Sequence, residues 1–255
     1  IAICKSMMAW KKWGAGKTPA SEGIKGDHFV GDYYVKFDQE NHAQAQALIA
    51  GGYDKEKAKQ ATALMQETQE MLLAWEAGDA ETLQIWNTMN GWVYEGFRQT
   101  WDRLGIDFDK EYYESQEYIR GKEFVIDGLN KGIFYKKENG AICTDLTSFG
   151  MDEKVLLRGD GTSIYLTQDL GLVNQRYLDY KMNKMIYVVM DEQNYHFKVL
   201  QCVLKQMGVP YADSVYHLSY GEVALPEGRM KSREGKVVDA DDLIDEVVHE
   251  ATLKT

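Results

Sequence analysis

The sequence predicts an α/β fold organised around a doubly wound parallel sheet, preceded by a long helical stretch and interrupted by a small α+β segment. Three observations carry this. Strand-like and helix-like segments alternate over residues 163–218, residues 42–104 contain no proline and are dominated by Ala, Gln, Glu, Leu and Met, and Asn139-Gly140 sits between two short β-prone runs as a hairpin turn would.

Taken in order, residues 1–13 place Ile3, Met7, Met8 and Trp10 at roughly helical spacing, and Gly14 to Gly16 close that helix. A polar connection, Lys17-Thr18-Pro19-Ala20-Ser21-Glu22-Gly23, follows, and Asp27 is suited to cap a helix carrying Phe29, Val30, Tyr33, Tyr34 and Phe37. Within 42–104 the breaks fall at Gly51-Gly52, Gly78-Asp79 and Gly105. The last helix there presents Ile85, Trp86, Met89, Trp92, Val93, Phe97 and Trp101, an apolar face that reads as core. After 106 the period changes: Tyr112-Tyr113-Glu114-Ser115 reads as a short strand and 117–130 as a helix ending at Gly128 or Gly132. Ile133-Phe134-Tyr135 and Ala141-Ile142-Cys143-Thr144 flank the hairpin turn, and Val155-Leu156-Leu157-Arg158 forms a further strand before a turn at Gly159-Asp160-Gly161. Ser163-Ile164-Tyr165-Leu166 then reads as a strand and 168–180 as a helix. Met185–Met190 is an apolar run of the kind a buried parallel strand needs, 192–207 is a helix stopped by Gly208-Val209-Pro210, and Val215–Leu218 is a third strand. Strands joined in this way imply right-handed crossovers.

Composition narrows the function. With 255 residues, 44% hydrophobic and 27% charged, the chain suits one large domain or two modest ones. It contains no run of 18 or more apolar residues, so no membrane span is expected. The opening Ile1-Ala2-Ile3-Cys4-Lys5 has neither an initiator Met nor the pattern of a signal peptide, and reads as the interior of an element. Cys4, Cys143 and Cys202 are widely spaced and no Cys/His cluster has metal-ligand spacing. This argues against a disulfide framework or a zinc site and suits a reducing, cytoplasmic compartment. The formal net charge of −11 opposes a phosphate backbone, so any nucleic-acid grip is expected elsewhere or at a local patch such as Lys131, Lys136 and Lys137.

In a doubly wound sheet, ligands bind beyond the carboxyl ends of the strands. That rule selects Thr167, Gln168 and Asp169, then Asp191 to His196, then Ser219, Tyr220, Gly221 and Glu222, with Glu114 joining if its strand shares the sheet. The set is rich in carboxylates, amides and a phenol and poor in Lys and Arg, which suits a cation. Glu114, Tyr165, Asp169 and Gln193 together match the planar donor fork of a guanidinium. Each has a plainer reading: Asp169 as a first-turn acid facing the helix dipole, Gln193 and Asn194 as caps, Tyr165 as a core aromatic. For His196 the alternatives are a packed histidine or a polar contact to phosphate or ribose. Neither a Ser/His/Asp pairing nor a Walker loop nor a GxGxxG occurs. Finally, Gly228-Arg229-Met230-Lys231-Ser232-Arg233-Glu234-Gly235-Lys236 is a basic loop before a helix opened by Asp239-Ala240-Asp241-Asp242. It is either a solvated turn or a segment that closes over a polyphosphate.

These residues together resemble arginyl-tRNA synthetases, class I aminoacyl-tRNA synthetases. The resemblance is carried in order by Lys25–Phe37, Tyr113-Glu114-Ser115-Gln116, Asp160–Asp169, Asp179-Tyr180 through Val189, Glu192–Phe197, and Met230–Val238, which is similar to the family's degenerate KMSKS loop. It implies a Rossmann-type catalytic core with a helical insertion and a second α+β insertion. The implied layout is 1–19 as the partial first half of the core, 20–84 as the helical insertion, 85–114 as the return to the core, 115–162 as the second insertion, 163–228 as the second half of the core, and 229–255 as the loop and following helix. It also implies ATP-dependent activation of L-arginine and transfer to tRNA(Arg), with Mg²⁺ accompanying the ATP and with activation requiring bound tRNA. Glu114, Tyr165, Asp169 and Gln193 fall on arginine-binding positions; His196, Gly221, Glu222, Val223 and Met230 on ATP-binding positions; and Lys231, Ser232 and Arg233 on the loop that stabilises the leaving pyrophosphate. Two departures are visible. Glu222 stands where a hydrophobic residue is usual, and the second lysine of KMSKS is replaced by Ser232 or Arg233. The family's HIGH motif is expected upstream of Ile1, and its tRNA-elbow and anticodon-binding domains are expected outside this stretch. The chain by itself is therefore expected to be an inactive piece of a monomeric enzyme. The rivals are a truncated paralogue that binds arginine or a partner protein without chemistry, and another class I ligase, such as a cysteinyl or glutaminyl enzyme. The cysteinyl case would need a zinc-binding Cys/His set that is absent here.

Overall fold

The computed structural model describes residues 1–14, 16–223 and 238–254. The chain divides into two compact units, Ile1–Asp107 with Ala224–Thr255, and Phe108–Val223.

The first unit is helical: α1 (Ala2–Trp13), α2 (Pro19–Glu22), α3 (Gly26–Ala50), α4 (Lys55–Ala61), α5 (Ala63–Glu76) and α6 (Ala80–Leu104). Local chemistry sets most boundaries. Thr18 Oγ1 accepts from Ser21 N at 3.1 Å with Pro19 at the first helical position, Asp54 accepts from Glu56 N and Lys57 N, and Asp79 Oδ2 accepts from Thr82 N at 2.9 Å. Between α4 and α5 a break falls at Thr62, which sequence pattern passes over. Its buried hydroxyl accepts from Met65 N at 3.0 Å and donates to Asn41 Oδ1 at 2.5 Å. The core gathers Met7, Phe37, Leu64 and Met89, with Trp92 edge-on to Phe29 at 5.5 Å. Of the apolar stripe on α6, Met89 is wholly buried, Ile85, Trp86, Trp92 and Val93 pack partly against this core, and Phe97 is exposed.

Asp27 does not cap α3. The helix begins at Gly26 after Lys25, and Asp27 lies in its first turn. The reason is a close crossing: a Cβ on Gly26 would stand 2.0 Å from the Trp92 carbonyl oxygen, and one on Gly96 would stand 2.1 Å from Asp27 Oδ1. The Asp27 carboxylate is thus pressed against α6 and pairs with Lys25 Nζ at 3.0 Å.

The second unit contains α7 (Glu114–Asn130), an antiparallel sheet of β1 (Tyr135–Lys136), β2 (Ile142–Thr144) and β3 (Lys154–Leu157), then α8 (Tyr165–Tyr180), β4 (Met185–Met190), α9 (Asn194–Gln206) and β5 (Val215–Tyr220). The hairpin predicted at Asn139-Gly140 joins β1 to β2, with Gly140 at φ 86°. Strands β4 and β5 are parallel, in register from Met185 opposite Val215 to Met190 opposite Tyr220, with α9 as the crossover.

Two predicted strands are helix starts instead. Tyr113 precedes α7 and Glu114 is its first residue. Ser163 makes a single bridge to Leu157, and α8 begins at Tyr165. The buried Thr167 hydroxyl explains the second case: it accepts from Ile164 N at 3.1 Å and donates to the Leu156 carbonyl, so the backbone turns into a helix where an extended strand was expected. Among the described residues the parallel sheet therefore has two strands. Helices α7 and α8 cross where glycine meets glycine, since a Cβ on Gly121 would lie 2.1 Å from the Thr167 carbonyl oxygen and one on Gly171 would lie 2.4 Å from Gly121 N. Lys110 and Tyr112, just ahead of α7, reach Asp179 at the far end of α8, so the two helices run antiparallel.

Helix α10 (Ala240–Leu253) belongs to the first unit. Asp239 caps it as predicted, accepting from Asp241 N at 2.8 Å. Asp241 turns back to Lys25 Nζ at 2.5 Å, Thr100 Oγ1 at 3.1 Å and Arg103 Nη1 at 3.2 Å. The cysteines are free thiols, and burial pushes all of them up.

Candidate functional site

The parallel unit aims its carboxyl ends at one rim. Strand β4 ends at Met190 and runs through a tight 3₁₀ turn, Asp191–Gln193, into α9. Gln193 immediately precedes α9 and makes no side-chain capping bond, so its amide is not spent on the helix end. One turn later His196 Nε2 meets Asp169 Oδ2 at 2.5 Å. A carboxylate only accepts, so Nε2 carries the proton of this bond. Asp169 lies beyond the first turn of α8 and answers to His196, not to the helix dipole. Tyr165, one turn before it on the same helix face, is 81% exposed and is no core aromatic.

The structure thus joins Asp169 to His196, three residues after Gln193, with Tyr165 one turn before Asp169 on α8. Glu114 is exposed at the start of α7, opposite the part of α8 between Gly171 and Asp179. Gly221, Glu222 and Val223 follow β5 and are exposed; Met230, Lys231, Ser232 and Arg233 lie outside the described residues.

A second group, not singled out from sequence, continues along α8. The Arg176 guanidinium is 5.2 Å from the ring centroids of both Tyr112 and Tyr187. Tyr112 Oη donates to Asp179 Oδ2 at 2.7 Å, and Lys110 Nζ joins at 2.5 Å. These bonds hold the Asp179 carboxyl down at about 2. Burial, reinforced by Asp179, raises the Tyr112 phenol. Burial likewise raises Tyr187, against the pull of Arg176. Tyr187 packs on Phe197 at 5.0 Å, and Phe197 stacks on His217 at 4.3 Å. His217 Nε2 donates to the Val189 carbonyl at 2.7 Å, which leaves its Nδ1 buried without a partner. The signal for this group was present: Asp169 and Arg176 are seven apart and share a helix face, and Tyr187 and Val189 alternate with outward Ile186 and Val188.

The rim offers a carboxylate, a phenol and an amide. Among the described residues, Arg176 lies against its tyrosines and Lys154 over the Tyr195 ring at 5.0 Å. Such a donor-poor, acceptor-rich edge suits a positively charged ligand. In the suggested basic patch, Lys131 is paired with Asp127 at 2.6 Å and Lys137 with Glu153, which reduces its free positive charge. Among the described residues, His28, Asp239 and Asp241 have atoms close enough to chelate an ion, but Lys25 Nζ already sits against Asp241 and the group does not fit Mg²⁺. No helix among them is long and apolar enough to cross a membrane.

The chain has a parallel β–α–β unit with polar groups at its carboxyl rim, a helical unit and a small antiparallel sheet, and its fold is that of a class I synthetase catalytic domain. The chain belongs to that family: residues 33–255 match the tRNA synthetases class I (R), catalytic domain. It is 57% identical over 251 residues to the arginine–tRNA ligase of Bacteroides thetaiotaomicron, covering 98% of this chain and 42% of that protein. It is 58% identical over 251 residues to that of Amoebophilus asiaticus, with the same coverage of 98% and 42%. The chain therefore spans less than half the length of these relatives. In fold it is similar to the arginyl-tRNA synthetase of Thermus thermophilus, with a TM-score of 0.69 at 19% identity over 97% of this chain and 44% of that one.

Proposed function

We propose that this chain forms the central part of an arginine–tRNA ligase, which activates L-arginine with ATP and transfers it to tRNA(Arg). The observation that supports the reading is the bond between Asp169 and His196, which ties α8, with Tyr165 one turn before Asp169, to α9 three residues after Gln193. In this reading Asp169 takes the guanidinium charge and Tyr165 and Gln193 accept its remaining donors; Glu114, opposite the later part of α8, is the proposed contact that the bond between Asp169 and His196 does not join to the others. Gly221, Glu222, Val223 and Met230 border the ATP, whereas His196, for which the family resemblance implies an ATP contact, is bonded to Asp169 and is read with the guanidinium pocket. The arginine carboxylate attacks the α-phosphorus in line and pyrophosphate leaves. Lys231, Ser232 and Arg233 offset the charge that develops on the leaving group, so the chemistry is positioning and electrostatics without a protein nucleophile. Magnesium enters with the ATP phosphates, and no residue of this chain is assigned to hold it.

The same reading gives the layout of core at 1–19, 85–114 and 163–228, insertions at 20–84 and 115–162, and loop with helix at 229–255. It makes the enzyme monomeric and cytoplasmic, in keeping with free thiols at Cys4, Cys143 and Cys202. The test is calorimetric titration of the full-length protein with arginine and, separately, with ATP. Asp169→Ala is expected to weaken arginine about 100-fold, the size of a lost charge-assisted contact, and to change ATP affinity less than about threefold. Equal arginine affinity in both proteins would remove Asp169 from the pocket.

A further inference from the structure

We infer that His196 is a positioning residue of the guanidinium pocket, acting through Asp169. The inference rests on the reading of that rim as the arginine site and deepens it. Four observations lead to it. The ring nitrogen Nε2 stands 2.5 Å from Asp169 Oδ2, within the range of a charge-assisted bond. Both side chains are mostly covered, at 24% and 32% exposure, so the bond is partly sheltered from competing water. The bond ties one carboxylate oxygen and, among the described residues, leaves Oδ1 without a hydrogen bond. The ring is itself steadied, edge-on to Phe197 at 5.7 Å, and Phe197 is locked between Tyr187 and His217.

An aspartate side chain has two rotatable bonds, and a pocket that reads a planar fork needs the carboxylate plane fixed. His196 supplies that restraint from a different element, α9, and in doing so fixes the spacing between Asp169 on α8 and Gln193 at the head of α9. The arrangement parallels metal sites, in which a ligating carboxylate is oriented by a partner that never touches the ion. His196 then governs arginine recognition, with its effect on ATP secondary.

The experiment uses the full-length protein with tRNA and follows ATP–pyrophosphate exchange, varying arginine and ATP separately, with calorimetric arginine binding in the absence of ATP. His196→Phe keeps a ring against Phe197 but has no donor, whereas His196→Gln keeps an N–H donor. We expect His196→Phe to raise both the arginine KM and the calorimetric Kd about tenfold while the ATP KM moves less than about twofold, and His196→Gln to recover most of the loss. In an Asp169→Ala background, His196→Phe should add almost nothing, because the group it positions is gone. A rise in ATP KM with unchanged arginine Kd would overturn the inference and assign His196 to the nucleotide, and additive losses in the double variant would overturn it as well. If wild-type protein binds arginine and Asp169→Ala abolishes this while His196→Phe does not, the inference alone falls. If wild-type protein does not bind arginine, the reading of the site falls with it.

Discussion

The two compact units bury their apolar residues in different ways. In the helical unit, core side chains from α1, α3, α5 and α6 close on one another, and several polar residues inside are paired: Lys25 with Asp27 and Asp241, Thr62 with Asn41. In the mixed unit, the parallel sheet is covered on one face and bare on the other. Tyr187, Val189 and His217 face α9 and its neighbours, while Ile186 is 56%, Val188 64% and Leu218 48% exposed. The difference teaches that the same apolar richness has two meanings. A stripe at helical spacing declares one buried face, whereas an unbroken run such as Met185–Met190 declares a strand without saying how many faces are covered.

The sharpest way to break this contrast is to truncate side chains on each face of the sheet unit. Leu200→Ala, on the covered side and wholly buried, should cost about 3 kcal/mol in urea unfolding, while Ile186→Ala on the bare side should cost less than about 1 kcal/mol. Comparable losses would mean that the outer face is covered in solution. The next effect belongs to the helical unit. Asp241→Asn removes the counter-charge of Lys25, whose side chain is 15% exposed, and should cost about 2 kcal/mol near neutral pH. The pH dependence has a definite sign. The hydrogen bond from Lys25 holds the Asp241 carboxyl below its ordinary 3.8, so its contribution is complete above that value and disappears as pH falls below it through the lowered folded-state pKa. Unfolding midpoints followed into acid should show wild type losing its advantage over Asp241→Asn; an advantage that persists below the folded pKa would sink the assignment. The smallest expected effect is at the α4–α5 junction. Thr62→Ala should cost about 1 kcal/mol, read from the same unfolding curves, because it removes a helix cap and leaves Asn41 Oδ1 without its donor.

Much of the candidate site was legible. Gln193 and His196 follow from the rule that polar residues after parallel strands face a ligand, and β4, α9 and β5 lie where periodicity puts them; Asp169 was selected by the same rule from a strand at 163–166 that the structure replaces with the start of α8. The errors came from local runs that tertiary contacts overrode. Ser163-Ile164-Tyr165-Leu166 has strand composition, yet Thr167 reaches the Leu156 carbonyl and starts a helix there. That shift puts Tyr165 and Asp169 on one helix face, a closer association than a strand end followed by a helix would give. Asp27 has the composition of a cap, but Gly96 lets it press on α6 instead. The seven-residue spacing puts Arg176 on the face of Asp169, but it does not announce that Tyr112 and Tyr187 from other elements will hold it.

By itself, the sequence determined which segments are helix or strand in most of the chain, the glycine-marked turns, the acidic and amide character of the rim, and the family resemblance. These depend on residues near one another along the chain. Only the tertiary structure decided that Asp169 meets His196, that α7 and α8 cross glycine on glycine, that Asp241 closes on Lys25, and that one face of the parallel sheet lies open. Each of these depends on the distance between atoms far apart in sequence, and a hydrogen bond or a packing contact is lost within an ångström or so of misplacement, a precision that residue type and spacing do not encode.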